Sequence, residues 1–76
     1  MPKATSVKNK IRELRFAHGE MTQQELADRI GVTRQTVIAI ERGKYSPSLE
    51  VAFQIARAFD TSLDAVFWYD EPGEPS

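Results

Sequence analysis

The chain has no cysteine, which excludes disulfide frameworks, thiolate metal sites and thiol nucleophiles. Its one histidine, His18, supplies neither a metal-ligating cluster nor a base paired with a nucleophile. The longest unbroken apolar run is Ala65–Tyr69, far short of the roughly 20 residues that span a membrane. Met1–Ser6 is polar and no apolar stretch follows it, so no export signal is read. Internal repeats and low-complexity segments are also missing. A length of 76 residues accommodates one domain, which buries only about 60% of the surface its unfolded form exposes. Large catalytic clefts with their own supporting shells do not fit in that space. Together these absences predict a cytoplasmic binding module and not an enzyme, with no cofactor, no metal, no membrane contact and no small-molecule ligand.

What is present is unevenly charged. The net charge is −1, yet residues 1–44 hold nine Lys/Arg against five Asp/Glu, while residues 45–76 hold Arg57 against six acids. Salt screens exposed charges beyond roughly 10 Å, so the local surplus matters more than the total. The basic end is suited to a polyanion and the acidic end is not.

Helical periodicity runs from Val7 to Phe67 and predicts five short helices. Val7, Ile11 and Leu14 recur at i, i+4, i+7 behind Ser6 as a cap, and Gly19 ends that helix. Thr22-Gln-Gln-Glu25 reads as a capping box opening a second helix, which buries Leu26, Ala27 and Ile30 and stops at Gly31. A third helix follows over Arg34–Arg42 and ends at Gly43. Ser46-Pro47 restarts the chain with proline at the first helical position, and Leu49, Ala52, Phe53, Ile55, Ala56 and Phe59 form the buried face of a fourth. Thr61 or Ser62 caps a fifth, Leu63–Phe67. Trp68–Asp70 either extends it or turns into a short strand, and Glu71–Ser76 reads as a frayed tail.

Two helices of this length joined by a glycine turn over Thr22–Gly43 make a helix-turn-helix. Ala27 lets the second helix cross closely, Gly31 supplies the sharp turn, and Val32 plugs the crevice between the helices. On a wheel of about 100° per residue, Val37 and Ile40 face inward. Arg34, Gln35, Ile38, Ala39 and Arg42 face outward. Arg and Gln have the fork geometry for bidentate contact with guanine and adenine, and an exposed Ile suits a thymine methyl.

The run from Thr22 to Phe59, within a likeness extending over Lys8–Phe67, resembles the Cro/C1-type (XRE family) helix-turn-helix of phage repressors and small bacterial regulators, in a small single-domain form. The resemblance is most specific in Thr22-Gln23-x-Glu25-Leu26-Ala27, Gly31-Val32, Thr33-Arg34-x-Thr36-Val37 and Ile40-Glu41-x-Gly43-Lys44. It implies an all-α, five-helix, lambda-repressor-like DNA-binding domain. Some small members add a strand from each terminus, for which Ala4–Val7 and Phe67–Asp70 are suited.

By this resemblance Gln23, beside Thr22, grips a phosphate at a helix N-terminus. Arg34 and Gln35 read base edges in the major groove, with Thr33 and Thr36 nearer the backbone. Ile38 departs from the polar residue many relatives carry. Arg42, Lys44, Tyr45 and Ser46 present the following loop to phosphate. Arg15 pairs with Glu41 and orients the recognition helix. The connection Phe16–Met21 is slightly longer than its commonest version, and His18 within it is expected to be exposed without a dedicated role.

Such folds act in pairs on half-sites about one helical turn (~34 Å) apart. Leu63, Val66, Phe67, Trp68 and Tyr69 are the expected homodimer interface, because a chain this small cannot hide every apolar residue of that run. The alternative is that Trp68 folds back over the core as a lid. The expected organisation is an arm over 1–6, the DNA-binding domain over 7–69 and an acidic tail over 70–76. The function read from all this is a nucleoid-associated transcriptional regulator binding double-stranded DNA, a dimeric repressor on a palindromic operator. Two alternatives stay open: an antitoxin or controller protein working with a protein partner, or an interaction module without DNA affinity.

Overall fold

A computed structural model describes residues 6–44 and 46–69. In chain order these form β1 (Val7–Asn9), α1 (Ile11–Ala17), α2 (Gln23–Ile30), α3 (Arg34–Glu41), α4 (Leu49–Ala58), α5 (Leu63–Val66) and β2 (Phe67–Tyr69). The core is built from Ile11, Leu26, Val37, Ile40, Ile55 and Val66, one or more from each helix, with Ala27 and Ala56 letting helices approach closely. No helix among the described residues is long and apolar enough to cross a membrane.

The first helix starts later than its periodicity predicts. Val7 does not follow a Ser6 cap into a helix but opens β1, which pairs antiparallel with β2 in the register Val7↔Tyr69, Lys8↔Trp68 and Asn9↔Phe67. The N-terminal strand therefore begins where the expected Ala4–Val7 strand was to end; residues 1–5 and 70–76, with most of the expected arm and the tail, lie outside the described residues. Asn9 explains the late start. Its Oδ1 accepts the Ile11 amide at 3.1 Å, satisfying a donor that the first turn of α1 leaves open. Its Nδ2 donates to the Ile40 carbonyl at 3.0 Å, so the ribbon is fastened to the far end of α3.

Local signals delimit α2 and α3. Thr22 Oγ1 accepts the Glu25 amide at 3.0 Å, and Glu25 Oε1 accepts the Thr22 amide at 2.8 Å, closing the capping box. Gly31 ends α2 at φ +76°, a left-handed conformation that side chains disfavour. Thr33 Oγ1 caps α3 by accepting the Thr36 amide at 3.1 Å. Gly43, at φ +71°, closes α3 with Lys44: their amides donate to the Ile40 and Ala39 carbonyls, each at 3.0 Å, a Schellman arrangement. Arg42 is thus the cap of α3 and not its last helical residue. Replacing Thr22 with alanine removes one half of the capping box and is expected to cost about 1 kcal/mol. Thermal unfolding should register this as a fall of roughly 5 °C.

Two boundaries and one face differ from expectation. Helix α4 starts at Leu49 behind Ser48, whose Oγ accepts the Val51 amide at 3.2 Å, so Pro47 precedes the cap. Helix α5 stops at Val66, and Phe67 already has extended backbone. The buried stripe of α4 and its cap is Ala52, Ile55, Ala56 and Phe59 alone, the i, i+3, i+4, i+7 set. Leu49 and Phe53 are 68% and 49% exposed, because one stripe suffices against α2 and α5 and these two fall beside it.

Candidate nucleic-acid interface

Helices α2 and α3 pack through Leu26, Ala27 and Ile30 against Val37 and Ile40, with Val32 half-buried between them. This packing turns the opposite side of α3 outward. Arg34 and Gln35 are exposed in its first turn, and Thr33 is exposed at its cap. Thr36 is half-buried, its Oγ1 lying 2.9 Å from that of Thr33. Ile38 and Ala39 are half-buried, not fully presented to solvent as the wheel places them. Arg42, Lys44 and Ser46 are exposed after α3, and Tyr45 lies outside the described residues.

An open cleft of about 940 Å³ separates α1 and the N-terminus of α2 from α3, with Thr22, Gln23, Arg34 and Arg42 on its walls. Beneath it sits an ion pair. Arg15 Nε donates to Glu41 Oε2 at 2.6 Å and its Nη2 to Glu41 Oε1 at 3.3 Å, while its Nη1 donates to the Met21 carbonyl at 2.8 Å. Arg15 is 7% exposed. The pair is charge-assisted and two-pronged, and it links α1, the approach to α2 and the last residue of α3. Gln23 is drawn into the same group, since its Nε2 donates to Glu41 Oε1 at 3.3 Å. Glu41 is therefore neutralised within the protein, whereas Arg34 and Arg42 make no ion pair among the described residues. The cleft is left with cationic walls.

The cleft also has walls that sequence reasoning did not assign to the site. Arg12 and Phe16 also line it, from the face of α1 that carries Arg15. The spacing i, i+3, i+4 was the available signal. His18 is exposed at the end of α1; its Nδ1 lies 3.0 Å from the Leu14 carbonyl oxygen and its ring centroid 5.2 Å from that of Phe59, and it does not line the cleft.

The expected dimer residues divide into two sets. Val66 and Phe67 are buried in the core, Phe67 still reaching the wall of an apolar groove. Phe67, not Trp68, closes over the interior. Trp68 and Tyr69 are exposed on β2, and Leu63 is half-buried along an apolar groove of about 350 Å³ that Val7, Pro47, Leu49, Ala52 and Phe67 also line. Tyr69 is paired with Val7 across the ribbon, so exposed apolar surface adjoins the groove from α4 and from β2.

Residues 11–66 match the family model described as Helix-turn-helix. The chain is similar to an uncharacterized HTH-type transcriptional regulator of Methanothermobacter thermautotrophicus, 55% identical over 64 residues that cover 83% of this chain and 91% of the relative. It is also similar to the uncharacterized HTH-type transcriptional regulator YgzD of Bacillus subtilis, 49% identical over 65 residues, 86% of this chain and 97% of the relative. Among solved structures it resembles the restriction-modification controller protein of Aeromonas hydrophila, with a TM-score of 0.66 and 36% identity over 72% of this chain and 82% of that one.

Proposed function

From the premise that the chain belongs to the Cro/C1-type (XRE) family of helix-turn-helix transcriptional regulators, we propose that it represses transcription as a homodimer bound to a two-fold symmetric site on double-stranded DNA. The observation that carries this reading is the exposed first turn of α3, with Arg34 and Gln35, on a helix fixed from below by the buried Arg15–Glu41 pair. In the major groove Arg34 reads guanine O6 and N7, and Gln35 reads adenine. Thr22, Gln23, Thr33 and Thr36 hold the phosphate strand on one side of the groove. Arg42, Lys44, Tyr45 and Ser46 hold it on the other. Ile38 meets a thymine methyl or a sugar edge. Leu63, Trp68 and Tyr69, joined by Leu49 and Phe53, cover one another across the two-fold axis, which sets two copies of α3 about one helical turn apart.

The test is to enrich duplexes of about two helical turns from a random pool with the full chain. Affinity is then measured over a salt series, with the stoichiometry of the complex from sedimentation. The expected result is an enriched sequence with two-fold symmetry, bound by two chains, whose log K falls steeply with log salt. Absence of both enrichment and salt dependence sinks the DNA reading in favour of an interaction module. The likeness to a restriction-modification controller protein favours a second reading, a controller using the same DNA-binding unit. The two part on whether the enriched sequence lies upstream of this chain's own gene or of genes for restriction and modification enzymes.

A further inference from the structure

Phe16 is a large aromatic that the core does not use: it stands half-exposed on α1 at the edge of the cleft. Two guanidinium groups approach its ring, that of Arg12 at 5.5 Å and that of Arg15 at 5.4 Å from the ring centroid. The two arginines differ in what else they touch. Arg15 has spent Nε and both terminal nitrogens on Glu41 and the Met21 carbonyl. The Arg12 guanidinium makes no hydrogen bond and no ion pair among the described residues, although Glu20 lines the same cleft. A guanidinium presents five N–H donors in a planar fork, and stacking on an exposed ring holds it at a cost in ordering that the cation–π attraction, about 0.5–1 kcal/mol, offsets. Arg12 is thus held with its donors unused at the mouth of a cleft whose opposite wall carries Arg34 and Arg42.

We propose that Arg12, seated on Phe16, is a phosphate-binding residue that grips the nucleic-acid backbone from α1, outside the helix-turn-helix itself. This rests on the reading of the cleft as a DNA interface. A fork matched to phosphate oxygens at this place clamps the strand that passes the N-terminus of α2. The contact adds affinity and register without reading sequence.

The experiment compares the wild-type chain, Arg12→Gln and Phe16→Leu, each shown to be folded by circular dichroism, on two probes. One is the duplex enriched by the wild-type chain and the other a mixed-sequence duplex of the same length. Arg12→Gln should reduce the slope of log K against log salt by about 0.9 per bound chain, about 1.8 for the two-chain complex, and weaken both duplexes by the same factor. Phe16→Leu retains the charge, so the slope should stay while both affinities fall about two- to fivefold for each bound chain. An unchanged slope in folded Arg12→Gln, beside a steep wild-type slope, overturns the phosphate role and leaves the DNA reading standing. Unchanged affinities in Phe16→Leu overturn the role of the ring. A wild-type chain that binds neither duplex overturns the DNA reading and this inference together.

Discussion

Replacing Glu41 with alanine should destabilise the fold by about 3–5 kcal/mol, because it strands a buried guanidinium. Arg15 is 7% exposed, and Glu41 takes two of its three polar contacts. Domains of this kind are stable by only about 0.05–0.15 kcal/mol per residue, so the loss consumes a large share of the total in a chain of 76 residues. At roughly 4–8 °C per kcal/mol, the thermal midpoint should fall by more than about 10 °C. The double variant Arg15→Met with Glu41→Leu separates the worth of the pair from the penalty for breaking it. Apolar groups of similar volume carry no charge to desolvate, so the double variant should regain most of the lost stability. If Glu41→Ala unfolds at the wild-type temperature, the pair is acting as an exposed one worth about 0–1 kcal/mol, and the proposal that it fixes α3 loses its footing.

Arg34→Ala should do the opposite, leaving the fold intact and removing recognition. The side chain is exposed and makes no ion pair among the described residues, while the cap of α3 comes from Thr33. Stability should therefore change by no more than about 0.5 kcal/mol. A bidentate contact with guanine discriminates by about 1–3 kcal/mol, which is roughly 5- to 150-fold in affinity for each half-site. The measurement is competition between the enriched duplex and variants of it changed one base pair at a time. Preference should disappear at one base pair per half-site and persist elsewhere. An equal loss on enriched and mixed-sequence duplexes, with a shallower salt slope, would instead make Arg34 a phosphate contact like the one proposed for Arg12. Together the two variants separate the helix that reads from the pair that holds it.

The parts of this molecule legible in its sequence are those governed by residues within a few positions of one another. Thr22 and Glu25 meet three residues apart, so their capping box needs no tertiary context. Gly31 ends α2 because its backbone adopts φ +76°, which glycine alone adopts at no steric cost. Val37 and Ile40 face inward and Arg34 and Gln35 outward because a helix of known period leaves no other choice once two apolar residues are buried.

Elsewhere periodicity misleads, since several structures satisfy the same pattern. Val7, Ile11 and Leu14 fit one helical face, yet Val7 belongs to a strand whose stability lies in pairing with Tyr69 and whose end is held by Asn9, bonded to a carbonyl 31 residues away. The α4 pattern is wider than the surface available to bury it, so Leu49 and Phe53 remain exposed. Four apolar residues in a row, Val66–Tyr69, say that some are buried but not which. The turn from α5 into β2 buries the first two and exposes the last two.

By itself, then, the sequence determined the helix-turn-helix, its turn, the capping box of α2 and the outward placing of Arg34 and Gln35 on α3, because capping, left-handed glycine and helical period are short-range and act before the chain is compact. Only the tertiary structure decided the bounds and register of the ribbon, the exposed apolar face and the gathering of Arg12, Phe16, Gln23 and Glu41 around one cleft. These depend on which surfaces the packed core leaves free and on pairings between distant segments, neither of which local sequence encodes.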